Sequence, residues 1–165
     1  MTTCRVVQYT ENSIHQRSNE IPLEAITSGK LRGLIKNMRD TMFKENGVGI
    51  AAPQIGDNRR AIIVETKHGP LVVLNPVLHG RSILQETQDE GCLSVKGIFG
   101  TVRRHRALSV TGIDEQGRPI KLQARGLLAR IFQHEVDHLN GILIIDRMKK
   151  VTQGSFDLTA WKRSA

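Results

Sequence analysis

Aromatic residues are scarce in this 165-residue chain, at 4%, so its core has to be built mainly from Ile, Leu, Val and Ala. Cysteine is scarcer still. Cys4 and Cys92 are the only two, too few for a disulfide framework, and nothing points to secretion. No apolar leader core stands near the N-terminus, and no stretch approaches the roughly 18 apolar residues of a membrane span. A non-membrane, cytoplasmic protein is expected, or one of an organellar stroma or matrix after removal of a transit peptide. Internal repeats and low-complexity segments are also missing.

What is present is ordinary globular material, with 39% hydrophobic and 24% charged residues. The length suits a single domain over residues 1–165. Lys and Arg number 24 against 16 Asp and Glu, a formal charge of +8. Such a balance favours encounter with a polyanion, including a ribosome surface contacted through basic residues, or simply describes a basic enzyme with no anionic partner.

The segment 1–26 reads as irregular, with Pro22 marking an extended stretch. Residues 28–46 read as an amphipathic helix: Leu31, Leu34, Ile35, Met38 and Met42 keep the helical period, Ser28 is its N-cap and Gly47 follows its end. Strands are expected at Ala61–Val64, Leu71–Leu74 and Ile83–Thr87. A hairpin of Ala107–Ile113 and Pro119–Ala124 turns around Asp114-Glu115-Gln116-Gly117. A second helix, Gly126–Asn140, is closed by Gly141. A last strand, Ile142–Ile145, leads to a short basic tail, 147–165, that is free to fray. This order lacks regular strand–helix alternation and predicts an α+β fold, with antiparallel sheets packed around the buried second helix and the N-terminal helix as a further element.

The second helix carries the sharpest signal, Gln133-His134-Glu135-Val136-Asp137-His138. It contains H-E-x-x-H, which places two imidazoles on one helix face, able to grip one metal ion. Glu135 lies about 100° further round, within reach of a water at that metal without being a ligand. Leu127, Leu128, Ile131, Phe132, Val136 and Leu139 cover most of the circumference, and Arg130, Gln133 and Asp137 form a narrower polar stripe. Two histidines and a glutamate in so apolar a helix are costly without partners, and a metal supplies them. The bland alternative is an ordinary helix with two unrelated histidines.

An open catalytic site needs a third protein donor. Downstream of His138 there is no further histidine, and the only acidic residues are Asp146 and Asp157. Upstream, Glu90-Gly91-Cys92-Leu93-Ser94 offers the Cys92 thiolate, a soft donor suited to Fe(II), Zn or Co. A third segment, Gly47-Val48-Gly49-Ile50-Ala51-Ala52-Pro53-Gln54, has glycines that let another backbone approach and an uncharged amide donor in Gln54; taken singly, it reads as a glycine turn with a solvated Gln54.

Together and in this order, residues 47–54, 90–94 and 133–138 resemble the signatures of the peptide deformylase family, G-x-G-x-A-A-x-Q, E-G-C-L-S and Q-H-E-x-D-H, with looser similarity from about Ile26 to Arg147. The resemblance implies a metal hydrolase that removes the formyl group from formyl-methionyl nascent polypeptides. It implies that Cys92, His134 and His138 bind one divalent metal ion, Fe(2+) natively, with Zn(2+), Ni(2+) or Co(2+) able to replace it. Glu135 would be general base and acid, and Gln54 with the backbone N–H of Leu93 would stabilise the oxyanion. Gly49 and its neighbours would pair with the peptide as an added strand, with Glu90 and Gly91 also beside the substrate. Ile50, Ile98, Phe99, Leu128, Ile131 and His134 are the expected wall of the methionine pocket. Arg104, at the place of the family's arginine in V-x-R, would either hold the peptide or pair with Glu90. The departures are Lys96, where the family usually has proline, the basic Arg103 and His105, and Glu11 and Ile14, which stand loosely for D-x-x-L.

Two other readings share part of this pattern. An H-E-x-x-H endopeptidase would use the same glutamate and metal, but Cys92 upstream and the missing downstream ligand argue against it. A non-catalytic, RNA-binding protein with a structural metal would need a fourth protein ligand, and His15, His68, His79 and His105 have no motif context.

Overall fold

A computed structural model describes residues 3–164. Helices α1 (Leu23–Thr27) and α2 (Arg32–Lys44) come first, followed by the short strand β1 (Gly49–Ala51) and a 3-10 turn over Ala52–Ile55. Strands β2 (Ala61–Thr66), β3 (Gly69–His79), β4 (Gln85–Gly91), β5 (Phe99–His105), β6 (Ala107–Ile113) and β7 (Pro119–Arg125) lead to helix α3 (Gly126–Leu139). A short helix α4 (Ile144–Arg147), strand β8 (Lys150–Gln153) and helix α5 (Leu158–Ser164) follow. One sheet has the order β1-β2-β3-β6-β7 and the other β4-β5-β8, and all their pairings are antiparallel. The fold is α+β.

The five-stranded sheet is covered on both faces, and strand alternation decides which residue goes where. In β2, Ala61 and Ile63 join a core with Ile35, Met38 and Met42 of α2. Ile62 and Val64, pointing the other way, join Phe132 and Val136 of α3. A third cluster, with Val102 of β5 and Ile144 and Ile145 of α4, joins the small sheet to the C-terminal segment.

Several expected boundaries move. The apolar face of α2 is as read, but the helix starts at Arg32, and Ser28 instead ends α1. Gly29, at φ 73°, turns the chain between them. The segment before residue 27 is not wholly irregular, since it holds α1 and a 3-10 turn at Asn12–His15. The expected strand Ile83–Thr87 shifts to Gln85–Gly91, and Ile83 is fully exposed ahead of it. β4 is a polar edge strand paired along its whole length with β5, so it shows no apolar alternation. The run Ile142–Ile145 is no strand: Leu143 N–H donates to Asp146 Oδ2 at 2.7 Å at the start of helix α4. The tail carries β8 and α5 rather than fraying, with Trp161 packed edge-on to Tyr9.

Helix α3 ends where the sequence indicates. Gly141, at φ 73°, donates to the His138 carbonyl, and Ile142 N–H reaches back to that of Asp137, the pairing of a Schellman motif. Any side chain at Gly141 would strike the His15 carbonyl.

Candidate metal centre

The 3.6-residue turn of α3 stacks His134 and His138 with ring centroids 5.0 Å apart. Cys92, on the turn that leaves β4, approaches them from the small sheet, its Sγ 3.2 Å from His138 Nε2. One ligand atom from each of these residues lies within 4.8 Å of the other two. His134 Nδ1 is 3.0 Å from Glu90 Oε2, which leaves Nε2 for the shared centre, the usual way a carboxylate orients a metal-ligating imidazole. One sulfur and two nitrogens suit a divalent transition metal. Glu135 Oε2 is buried without a hydrogen-bond partner, so the centre keeps an unsatisfied polar atom such as a bound water would answer. This group could hold a metal ion.

Electrostatics agree with the donor set. Burial opposes a charge on His134, but hydrogen bonds to Cys92 and Glu90 outweigh it and raise the imidazole well above its ordinary value. A metal bound to this imidazole would have to displace that proton. Burial, helped by the neighbouring His134 and Arg104, holds His138 well below, in the neutral form a ligand needs. Burial pushes the Glu135 carboxyl up to about 7.

Behind the centre lies a buried ion network. Glu90 accepts two hydrogen bonds of 3.0 Å from Arg104 and one of 2.6 Å from Arg130. Burial works against its ionisation, but His134 and Arg104 outweigh it and hold the carboxyl far below the usual carboxylate range. Arg104 also pairs with Asp137, and Arg147 binds Asp137 at 2.5 and 2.6 Å. Arg130 is a member that the sequence reading passed over as polar stripe. Its position one helical turn before His134 was the available signal.

A cavity of about 480 Å³ opens in front. Cys92, His134, Glu135 and Gln54 line it, with Gly49, Glu90, Gly91 and Leu93. Ile98, Phe99 and Ile131 line it as well. The Gln54 side chain is fixed at both ends: Oε1 accepts from Ala51 N–H at 2.8 Å, and Nε2 lies 3.3 Å from Ser94 Oγ and 3.7 Å from Cys92 Sγ. The N-terminal segment braces this region from behind, through Val7 N–H to the Gln54 carbonyl at 2.9 Å and Gln8 Nε2 to the Leu93 carbonyl at 3.2 Å. Gly49 admits no side chain, because a Cβ there would collide with Glu135 Oε1 and stand 2.9 Å from Ile131 Cγ2.

Three expected contacts with substrate are corrected. Ile50 is fully buried in the core against α2, since strand alternation turns it away from Gly49. Leu128 packs beside the core of Phe132 and Val136. The cavity takes Leu127 instead, which shares a helix face with Ile131 and Glu135. Arg104 is 4% exposed and committed to Glu90 and Asp137, so of its two expected roles the structure takes the pairing with Glu90. Val48, also on the cavity wall, was not singled out in the sequence.

The model of the family described as polypeptide deformylase matches residues 3–154. A peptide deformylase of Pelotomaculum thermopropionicum is 40% identical over 151 residues, covering 92% of this chain and 95% of the relative. That of Carboxydothermus hydrogenoformans is 45% identical over 132 residues, covering 80% and 86%. Among solved structures, a Met-Ala-Ser-bound class I type b peptide deformylase from Acinetobacter baumannii superposes with a TM-score of 0.85 at 34% identity, covering 89% of this chain and all of that one. The chain therefore belongs to the peptide deformylase family, the hydrolases that remove the formyl group from the N-terminus of polypeptides.

Proposed function

We propose that this chain, acting as one catalytic domain in the cytoplasm, releases formate from formyl-methionyl nascent polypeptides. Cys92, His134 and His138 hold the metal, ferrous iron natively, with zinc, nickel or cobalt as substitutes. The observation that carries this reading is the convergence of one thiol and two imidazoles beside a buried carboxylate, with Cys92, His134 and Glu135 lining the cavity. A divalent cation bound there supplies Lewis acidity and a nucleophilic water at neutral pH.

The chain's own groups do the rest. Glu135 takes a proton from the attacking water and returns it to the leaving amine. A carboxyl pushed up to about 7 is suited to both steps near neutral pH. Gln54 and the Leu93 N–H donate to the oxygen of the attacked formyl group as negative charge builds on it, and one such donor is typically worth about 2.7–4 kcal/mol. Both are positioned before substrate arrives, Gln54 by Ala51 and Ser94 and the Leu93 segment by Gln8. β1 is an edge strand of its sheet, and its glycine at position 49 brings backbone close to Glu135. An extended peptide can add to that edge. The binding of Met-Ala-Ser by the Acinetobacter relative supports a peptide substrate that begins with methionine.

The test is Glu135→Ala in iron-loaded enzyme prepared without oxygen. The variant should retain bound metal and lose formate release from a formyl-Met tripeptide by about 100-fold or more. Activity near that of the wild type would remove Glu135 from the proton transfers.

A further inference from the structure

Next to the catalytic cavity lies a second hollow of about 440 Å³. Glu45, Leu93 and Lys96 line both, so Lys96 stands between them. The other charged groups lining the hollow are Arg5 and Lys44. Arg5 is neutralised by Glu11, through hydrogen bonds of 2.8 and 2.6 Å. Lys44 Nζ donates to Thr3 Oγ1 at 3.3 Å and has no carboxylate partner among the described residues. Lys96 is exposed and makes neither a hydrogen bond nor an ion pair among the described residues. The lining of the hollow thus carries two ammonium groups without a carboxylate partner among the described residues and one carboxylate, Glu45.

Resting on the deformylase reading, we propose that this hollow is a subsite for an acidic side chain on one of the two residues that follow formyl-methionine, and that Lys96 sets the preference. An extended chain advances about 3.3 Å per residue, so these two residues span a distance that a lysine's flexible four-carbon stem can follow. Lys96 also lines the catalytic cavity itself, as do the carboxylates of Glu45 and Asp89, so a peptide that runs from that cavity into the hollow passes its ammonium. Because Lys96 is solvated, the preference is modest, about 2- to 5-fold.

The experiment compares kcat/KM for formate release by the metal-loaded enzyme. The substrates are C-terminally amidated formyl-Met-Ala-Asp, formyl-Met-Ala-Asn, formyl-Met-Asp-Ala and formyl-Met-Asn-Ala. At one of the two positions the Asp peptide should be favoured about 2- to 5-fold over its Asn partner at low salt, with the ratio shrinking as salt screens the pair. K96E should invert the ratio. K121Q removes an exposed charge from β7, at the far edge of the five-stranded sheet, and should leave it intact. An Asp-to-Asn ratio of one at both positions, a ratio unmoved by K96E, or an equal loss in K121Q, which would mark a general effect of net charge, overturns the subsite. Formate release from none of the four peptides would instead overturn the deformylase reading itself.

Discussion

The two polar faces of α3 are built on opposite principles. On one, Arg130, Gln133 and Asp137 are fully answered: Arg130 by Glu90 and the Val102 and Glu86 carbonyls, Gln133 by both backbone groups of His105, and Asp137 by Arg104 and Arg147. On the other, Glu135 Oε2 is buried and unanswered, and His138 turns Nε2 to the Cys92 thiol at the site. A buried polar atom without a partner costs stability, so the first face stabilises the fold, whereas the second keeps donors and acceptors in reserve for a ligand and for chemistry. His134 belongs to both, with Nδ1 held by Glu90 and its other nitrogen directed to the metal site.

The strongest way to break this contrast is to exchange the consequences of its two faces. His138→Ala should lose tight metal binding and reduce formate release by more than the roughly 10- to 100-fold typical of a residue that only supports a ligand, measured by metal analysis and activity on the same sample. Arg104→Met should keep the ligand set but lower stability by about 3 kcal/mol, since it strips buried carboxylates of a charged partner; denaturant unfolding reads this directly. Gln133→Met should cost about 1–3 kcal/mol by leaving the His105 backbone groups unpaired, with the metal still bound. Loss of metal in Gln133→Met, or its retention in His138→Ala, would erase the distinction between the faces.

The smallest effect sharpens the comparison from outside. Glu11 also accepts two hydrogen bonds from an arginine, Arg5, and Arg5 holds its carboxyl down at about 2. Because the folded-state value is depressed, its contribution is present above the unfolded value near pH 4.3 and is lost as pH falls toward 2. Glu11→Gln should therefore lower Tm slightly at neutral pH and match the wild type near pH 2. Solvent screening keeps this surface pair far weaker than its buried counterpart.

Residues that sit close in sequence made much of this legible. The apolar period of α2, the hairpin β6–β7 and the Gly141 stop of α3 each follow from local chemistry, and the structure places them as read. β4 escaped because a polar edge strand gives no periodic signal. The C-terminal segment was misjudged because a four-residue apolar run fits a strand as well as a short helix. The sequence points to Leu128 where the cavity has Leu127, because one residue on a helix is a rotation of about 100°, and only the packed sheet shows which of the two faces the cavity.

By itself, the sequence determined which atoms are available and which lie on a common helix face: two imidazoles and a carboxylate within five residues, a thiol in its own motif and a glycine that leaves room for them. Tertiary structure alone decided that the thiol meets the imidazoles, that Arg104 serves Glu90 and not a peptide, and that Lys96 stands between two cavities. Spacing along a helix is fixed by backbone geometry, whereas a meeting between strand and helix depends on how the whole chain packs.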